Sequence, residues 1–195
     1  LDTWAYGTPA QAPTFVDCNS GTKCFKTNLT GNYNSSSSQD LVSPPVSLVG
    51  LQAPITASWA MKYQIENAQF DPAWVEVREV GGANPKRVWQ WTGATMTTDI
   101  GGVIVQEVAG WGLYTADLGA YAGKNVELVF HLQADNTGQY PGIAIDDVKV
   151  SGCPGPICGN GAVEGPEGCD DANAIEGDGC DSNCTPSACG NGVAA

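Results

Sequence analysis

Hydrophobic and polar residues alternate with a period of two along several stretches of this chain. Ile55, Ala57, Trp59, Met61, Tyr63 and Ile65 stand opposite Thr56, Ser58, Ala60, Lys62, Gln64 and Glu66, which predicts a half-buried antiparallel strand. Val126, Leu128, Phe130 and Leu132 repeat the pattern, with Glu127, Val129 and His131 on the other side. Trp74 to Val80 and Ile143 to Val150 predict two further strands, and Trp89 to Trp91 and Val103 to Val108 give weaker versions of the same signal. Turn residues punctuate these runs at Ser43-Pro44-Pro45, Gly81 to Pro85, Gly101-Gly102, Gly119 to Gly123 and Gly138 to Gly142. No segment sustains a helical period over three turns. The expectation is therefore all-β, a jelly-roll β-sandwich over residues 1–151, in which the serine-rich NYNSSSSQD stretch is an exposed loop.

Residues 152–195 break the pattern. The phrase CGNGAV at Cys158 returns as CGNGVA at Cys189, and between the copies lie Gly, Asn and acidic residues too polar to build a core. Cross-links must hold such a segment, so it reads as a small, loop-dominated unit with one complete copy over 158–184 and a second broken off from 189. That break makes the chain read as a piece of a longer repeat-bearing protein, and Leu1, preceded by no signal peptide, as a mature terminus.

Charge narrows the partners. Asp and Glu number 21 against 8 Lys and Arg, a net charge of −13, which argues against nucleic acid and anionic membranes. From Ser151 onward there are seven acids (Glu164, Glu167, Asp170, Asp171, Glu176, Asp178 and Asp181) and neither Lys nor Arg. The eight cysteines lack the close CxxC pairs and nearby histidines of a zinc site, so they read as disulfides and place the chain in an oxidising compartment. Cys18 and Cys24, separated by an Asn-Ser-Gly turn, form a local pair. The pairing of Cys153, Cys158, Cys169, Cys180, Cys184 and Cys189 stays open, with Cys153 to Cys189 one option and pairing within each neighbourhood another. No apolar run reaches the ~20 residues of a membrane helix, so no membrane insertion is expected.

Three sets of residues carry candidate chemistry. In CDDANAIEGDGCD, Asp170, Asp171, Asn173, Asp178 and Asp181 offer oxygen ligands within one disulfide-pinned loop. They suit calcium, which takes six to eight oxygens in irregular geometry; the competing reading is that they only close Asx turns. Asp146 and Asp147 are adjacent in an apolar strand, so strict alternation turns one of them inward. Either they hold a structural ion with Glu66 and Asp71, or a β-bulge leaves both in solvent. Among six tryptophans and six tyrosines, Trp89, Trp91, Trp111 and Tyr114 fall near loops and form a candidate sugar-stacking surface, against roles as core or loop anchors.

Catalysis has little support. His131 is the sole histidine and lies on a strand face opposite Phe130 and Leu132, away from any recognisable nucleophile pattern. Glu66, Asp71, Glu76 and Glu79 are close enough in sequence for paired-carboxylate glycoside hydrolysis, but Glu76 and Arg78 alternate onto a solvated face. No catalytic centre is expected. Asn28-Leu29-Thr30 and Asn34-Ser35-Ser36 match the N-glycosylation acceptor.

The phrases CFKTNLTGNYNSSSSQDLVSPPVSL, YQIENAQFDPAWVEVREVGG, WGLYTADLGAYAGKNVELVFHL and GIAIDDVKV resemble the bacterial secreted jelly-roll modules related to MAM and cleaved-adhesin domains, over about Trp4 to Val150. The tail is similar to the myxobacterial-type cysteine-rich disulfide repeat, with Gly168 where an acid often precedes the cysteine and Ala172 where a glycine is usual. These resemblances imply a secreted or cell-surface bacterial module that accompanies extracellular proteases and surface proteins. The expected function is recognition or adhesion toward a polysaccharide or cell-surface protein, with calcium as structural ion. Self-association as a building block of an extracellular assembly, and service as the accessory part of a secreted protease, are the alternatives.

Overall fold

The computed structural model describes residues 4–93, 97–100, 103–106, 110–165 and 167–188. The chain divides into two compact units, one of residues 1–49 with 53–152, the other of residues 50–52 with 153–195. Among the described residues no helix is long and apolar enough to cross a membrane.

The first unit is all-β. Its strands are β1 (Trp4–Gly7), β2 (Cys24–Thr27), β3 (Ser37–Val42), β4 (Val46–Ser47), β5 (Leu51–Gln64), β6 (Ala73–Glu79), β7 (Lys86–Gln90), β8 (Thr97–Ile100), β9 (Val103–Gln106), β10 (Gly112–Asp117), β11 (Asn125–Ala134) and β12 (Gly142–Pro154). One antiparallel sheet has the order β1-β2-β12-β5-β10, and the other the order β3-β11-β6-β7 with β4 also on β11. A separate two-stranded pair joins β8 to β9.

The alternating run of β5 does what its period requires. Ile55, Ala57, Trp59, Met61 and Ile65 are buried. Trp59 meets Phe130 of β11 edge-on at 5.9 Å and stacks on Tyr114 of β10 at 6.1 Å. Burying an apolar side chain of this size contributes about 2–3 kcal/mol, and Leu128, Leu132, Val75 and Val77 add to the same core.

The opposite face of β5 is not simply solvated. Ala60 and Lys62 are buried too, because Phe15, itself fully buried, packs between Lys26 and Lys62 with its ring 5.0 and 5.5 Å from their amines. Lys62 reaches the edge of this cover and pairs with Asp17 at 3.0 Å.

Several strands were not legible in the hydrophobic pattern. β1, β2, β4 and β10 are short, and the serine stretch read as a loop is a loop only up to Ser36. From Ser37 it becomes edge strand β3, with Ser37 and Gln39 buried, since an edge strand is specified by its partner β11 more than by its own side chains. The strand expected at Trp89 to Trp91 is Lys86–Gln90, with a bulge opposite Val75 and Glu76. Of the strand expected over 103–108, residues 107 and 108 lie outside the described residues.

The second unit has almost no regular structure. An isolated bridge joins Cys180 to Pro186, and disulfides join Cys158 to Cys184 and Cys169 to Cys180. In the first unit, Cys18 bonds Cys24 across the predicted turn. Cys153 is exposed and without a disulfide partner among the described residues; Cys189 and the second CGNG copy lie outside them.

Candidate metal centre

Glu66 and Asp71 flank the tight turn that carries the chain from β5 to β6. Asn67 builds that turn: its carbonyl accepts the amides of Phe70 and Asp71 at 2.9 and 3.0 Å, and its side chain accepts that of Gln69. Because β6 pairs with β11 in a register that sets Ala73 opposite Leu132, the residue just past β11, Asp135, arrives beside Asp71. The three carboxylates offer ligand oxygens that all lie within 4.8 Å of one another.

Their surroundings make this a charged, partly buried cluster. Asp71 is fully buried; one oxygen accepts the Tyr33 hydroxyl and the other the Asp135 amide at 2.8 Å. Glu66 Oε2 is buried with no hydrogen-bond donor. Gly138, at φ +71°, lies so close that a Cβ there would fall 2.2 Å from this oxygen, so only glycine closes the 135–141 loop over the site. No Lys, Arg or His pairs with any of the three among the described residues.

Burial, and then the charges of Asp71 and Asp135, push the Glu66 carboxyl above its ordinary value. Burial does the same to Asp71, against the pull of Tyr33 and the Asp135 amide. Tyr33 is driven far up by burial and by its bond to Asp71, so it stays a neutral donor. An orphaned buried carboxylate oxygen beside two further carboxylates fits a hard cation; hard oxygen donors without thiolate or imidazole suit calcium, with backbone carbonyls or water completing the shell.

Asp146 and Asp147, partners of Glu66 and Asp71 in one of the two readings of the sequence, do not join them among the described residues. Asp147 takes a positive φ of 49°, which breaks the alternation of β12 and turns both carboxylates to the Cys18–Cys24 loop. Asn19 and the Ser20 hydroxyl donate to Asp147 at 2.7 and 2.6 Å, and the Ser20 amide to Asp146 at 2.9 Å. This is the bulge alternative, and the pair serves as an anchor for the loop. Glu76 and Glu79 also stay outside the cluster.

Most tail acids accept backbone amides, while Asp171 Oδ1 is buried with no hydrogen-bond partner. Asp170 accepts the amides of Gly159, Asn160, Gly161 and Ala172 at 2.8 to 3.1 Å, and the amides, that of Ala172 foremost, hold its carboxyl below its ordinary value. Asp171 accepts the Cys180 amide, and Asp181 accepts the Gly177 amide and the Ser187 hydroxyl. Asn173 donates to Asp178 and caps Ile175. No three of these acids converge at metal-ligand distance among the described residues. Asp170 and Asn173 make the contacts of the turn reading, and the CGNG phrase supplies three of the amides that Asp170 accepts.

The aromatic candidates split. Tyr63 lies between Trp89 and Trp91, 5.5 Å from each, and Trp89 meets Tyr114 edge-on at 6.0 Å. Burial and the bond to Tyr63 raise the Tyr114 hydroxyl. Trp91 donates to the Glu66 carbonyl at 2.9 Å, which ties this half-buried cluster to the acidic one. Trp111 instead donates to Asp17. Sequence reasoning missed Tyr63 and Asp135. Tyr63 lies on the apolar side of its alternating strand, and Asp135 belongs to none of the candidate sets the sequence offered.

His131 is built into a cross-strand row. Its Nδ1 meets Asp40 at 2.6 Å, its ring stacks on Trp74 at 3.7 Å, and Arg87 covers the Trp74 ring at 4.0 Å. Its Nε2 is buried with no hydrogen-bond partner, so no nucleophile stands against it. An apolar cleft of about 390 Å³, lined by Phe25, Leu41, Pro44, Phe130, Val148 and neighbours, contains no carboxylate.

No family model matches the chain, the tail repeat included. The chain is similar to Bacillopeptidase F of Bacillus subtilis (strain 168), 31% identical over 154 residues. The match takes in 77% of this chain but 9% of that protein, so the chain spans less than a tenth of the relative's length. Among solved structures it is similar to the K3 cleaved adhesin domain of Lys-gingipain from Porphyromonas gingivalis, at 15% identity over 76% of this chain and 91% of that one, with a TM-score of 0.46. The K2 cleaved adhesin domain of Lys-gingipain gives 15% identity over 69% of this chain and 74% of that one, with a TM-score of 0.37. These structural likenesses are too remote to transfer a ligand or a role.

Proposed function

We propose that the chain is a non-catalytic extracellular recognition module whose ligand is a polysaccharide or a cell-surface partner. In this reading calcium, held by Glu66, Asp71 and Asp135, stiffens the loops beside the Tyr63, Trp89, Trp91 and Tyr114 rings. The observation that carries it is the buried, unpartnered Glu66 Oε2 facing two further carboxylates. Three disulfides support an oxidising location outside the cytoplasm. The aromatic rings support a stacking surface for sugar, since ring faces bind the apolar faces of pyranoses.

Similarity to a small part of a far longer protein named as a peptidase favours one second reading: the module is an accessory segment of a secreted protease and directs it to a surface. Both readings share a binding test. The oxidised chain is passed over immobilised polysaccharides, and over itself, with calcium and with EDTA. Calcium-dependent retention on one glycan class, lost in Trp89→Ala, is the expected result. Self-retention alone would make the chain an assembly unit, and retention on nothing would overturn glycan recognition.

A further inference from the structure

Lys26 is a fully buried amine with no carboxylate at ion-pair distance among the described residues. Removing an ammonium from water is costly unless oxygen acceptors surround it. Here they do: Nζ donates to the side chain of Gln11 at 2.9 Å and to the carbonyls of Asn28, Gly31 and Pro141 at 2.6, 3.2 and 2.7 Å, with that of Thr27 at 3.4 Å. Five acceptors share three N–H groups. Burial lowers the amine to about 8, so it remains cationic at neutral pH.

These acceptors come from three separate segments, and two of them lead directly to the acidic cluster. From the 28–33 loop, Asn32 donates to the Gln139 carbonyl at 2.6 Å and the Tyr33 amide to the Tyr140 carbonyl at 3.1 Å. Tyr33 then ends on Asp71 through its hydroxyl. From the 138–141 loop, Gly138 closes on Glu66. An apolar side chain at this position would leave these acceptors without the donor that gathers them.

We propose that Lys26 is the positioning residue of the cation site: its ammonium clamps the 28–33 and 138–141 loops together and so sets where Tyr33, Asp71 and Glu66 stand. The proposal rests on the calcium reading for its binding consequence, while the positioning itself is observable without any cation. Coupling through such a contact chain has to be measured as a difference between variants.

The experiment uses the oxidised full chain. Calcium is titrated calorimetrically into wild type, Lys26→Met, Gln11→Leu, Gln11→Glu and Leu48→Ala, and amide exchange of Asp135 is followed in EDTA. Lys26→Met is expected to weaken calcium binding at least tenfold and to speed exchange of the Asp135 amide. Gln11→Leu keeps the charge but removes one acceptor together with the side-chain donation to Asn32 at 2.6 Å, and is expected to weaken binding two- to fivefold. Gln11→Glu, which keeps an acceptor for Lys26 and loses the Asn32 bond, is expected to bind as wild type. The pair decides the matter if Lys26→Met does not fold. Leu48→Ala removes buried apolar contacts outside this chain of bonds and is expected to lower the melting temperature without changing affinity. Calcium affinity and Asp135 exchange both unchanged in the folded Lys26→Met and Gln11→Leu variants would overturn the proposal. Absence of calcium binding by wild type would overturn the calcium reading instead, and faster Asp135 exchange in those variants would then still support the positioning.

Discussion

The molecule has two acid-rich regions, and they solve opposite problems. In the sandwich, Glu66, Asp71 and Asp135 face one another in a partly buried site where one carboxylate oxygen finds no donor, and burial with mutual repulsion raises Glu66 and Asp71. In the tail most acids meet backbone amides, and Asp170 alone gathers four of them, while Asp178 accepts the Asn173 side chain and Asp171 Oδ1 is buried with no donor. Acid density along the chain is higher in the tail, yet among the described residues three carboxylates converge only in the sandwich. What separates the two is how the carboxylates are arranged: spread over amides of the same loop, or gathered against one another.

The largest expected effect tests what holds each region. Replacing Cys169 with Ser is expected to cost the tail about 2–5 kcal/mol, enough to open residues 158–184 to proteolysis while the sandwich strands stay protected. A tail that resists proteolysis without that disulfide would show that acid-to-amide turns hold it unaided.

Next in size, calcium at a hundredfold over its Kd is expected to stabilise the sandwich by about 2.7 kcal/mol. The gain should vanish in Asp71→Asn and persist in Asp170→Asn, as read from melting curves in calcium and in EDTA. If Asp170→Asn alone removed it, the assignment of roles would be reversed.

A smaller effect appears in titration. The folded-state value of Asp170 is depressed, so its contribution is present above the ordinary carboxylate value of 3.8 and is lost as pH falls through the lower folded value. Exchange of the Gly159 and Gly161 amides should accelerate in that acidic window. Glu66, raised instead, should titrate above its ordinary 4.5 in EDTA; carboxyl carbon shifts that place both groups together would break the comparison.

The smallest effect is Ala172→Gly. Ala172 sits at φ +68°, a conformation that costs a non-glycine residue about 1–2 kcal/mol, partly offset by the flexibility glycine adds to the unfolded chain. A gain of about 0.5–1 kcal/mol in tail stability is expected from amide exchange, and no gain would mean that the surrounding amide bonds remove the strain.

The sequence made Glu66 and Asp71 visible as neighbours because a single tight turn separates them. Asp135 comes from the far end of another strand, and only the register of β6 on β11 brings it in. Asp146 and Asp147 misled for the opposite reason: adjacency suggested an inward carboxylate, but one residue of positive φ at Asp147 turned both onto the Cys18–Cys24 loop. The tail acids were legible as either ligands or turn formers, and the choice turned on which amides the CGNG backbone would present. Ala172 was visible as the place where a glycine was missed, and its backbone angle accounts for that.

By itself the sequence determined the all-β class, the long strands β5 and β11, the disulfide-held character of the tail and the local Cys18–Cys24 bond. Each of these follows from period, spacing or composition within a few residues. Tertiary structure alone decided the short edge strands, the burial of Lys26 and Lys62 under Phe15, the ring cluster around Tyr63 and the meeting of three carboxylates. Those depend on contacts between residues far apart in the chain, where energy comes from pairing and desolvation that no local pattern encodes.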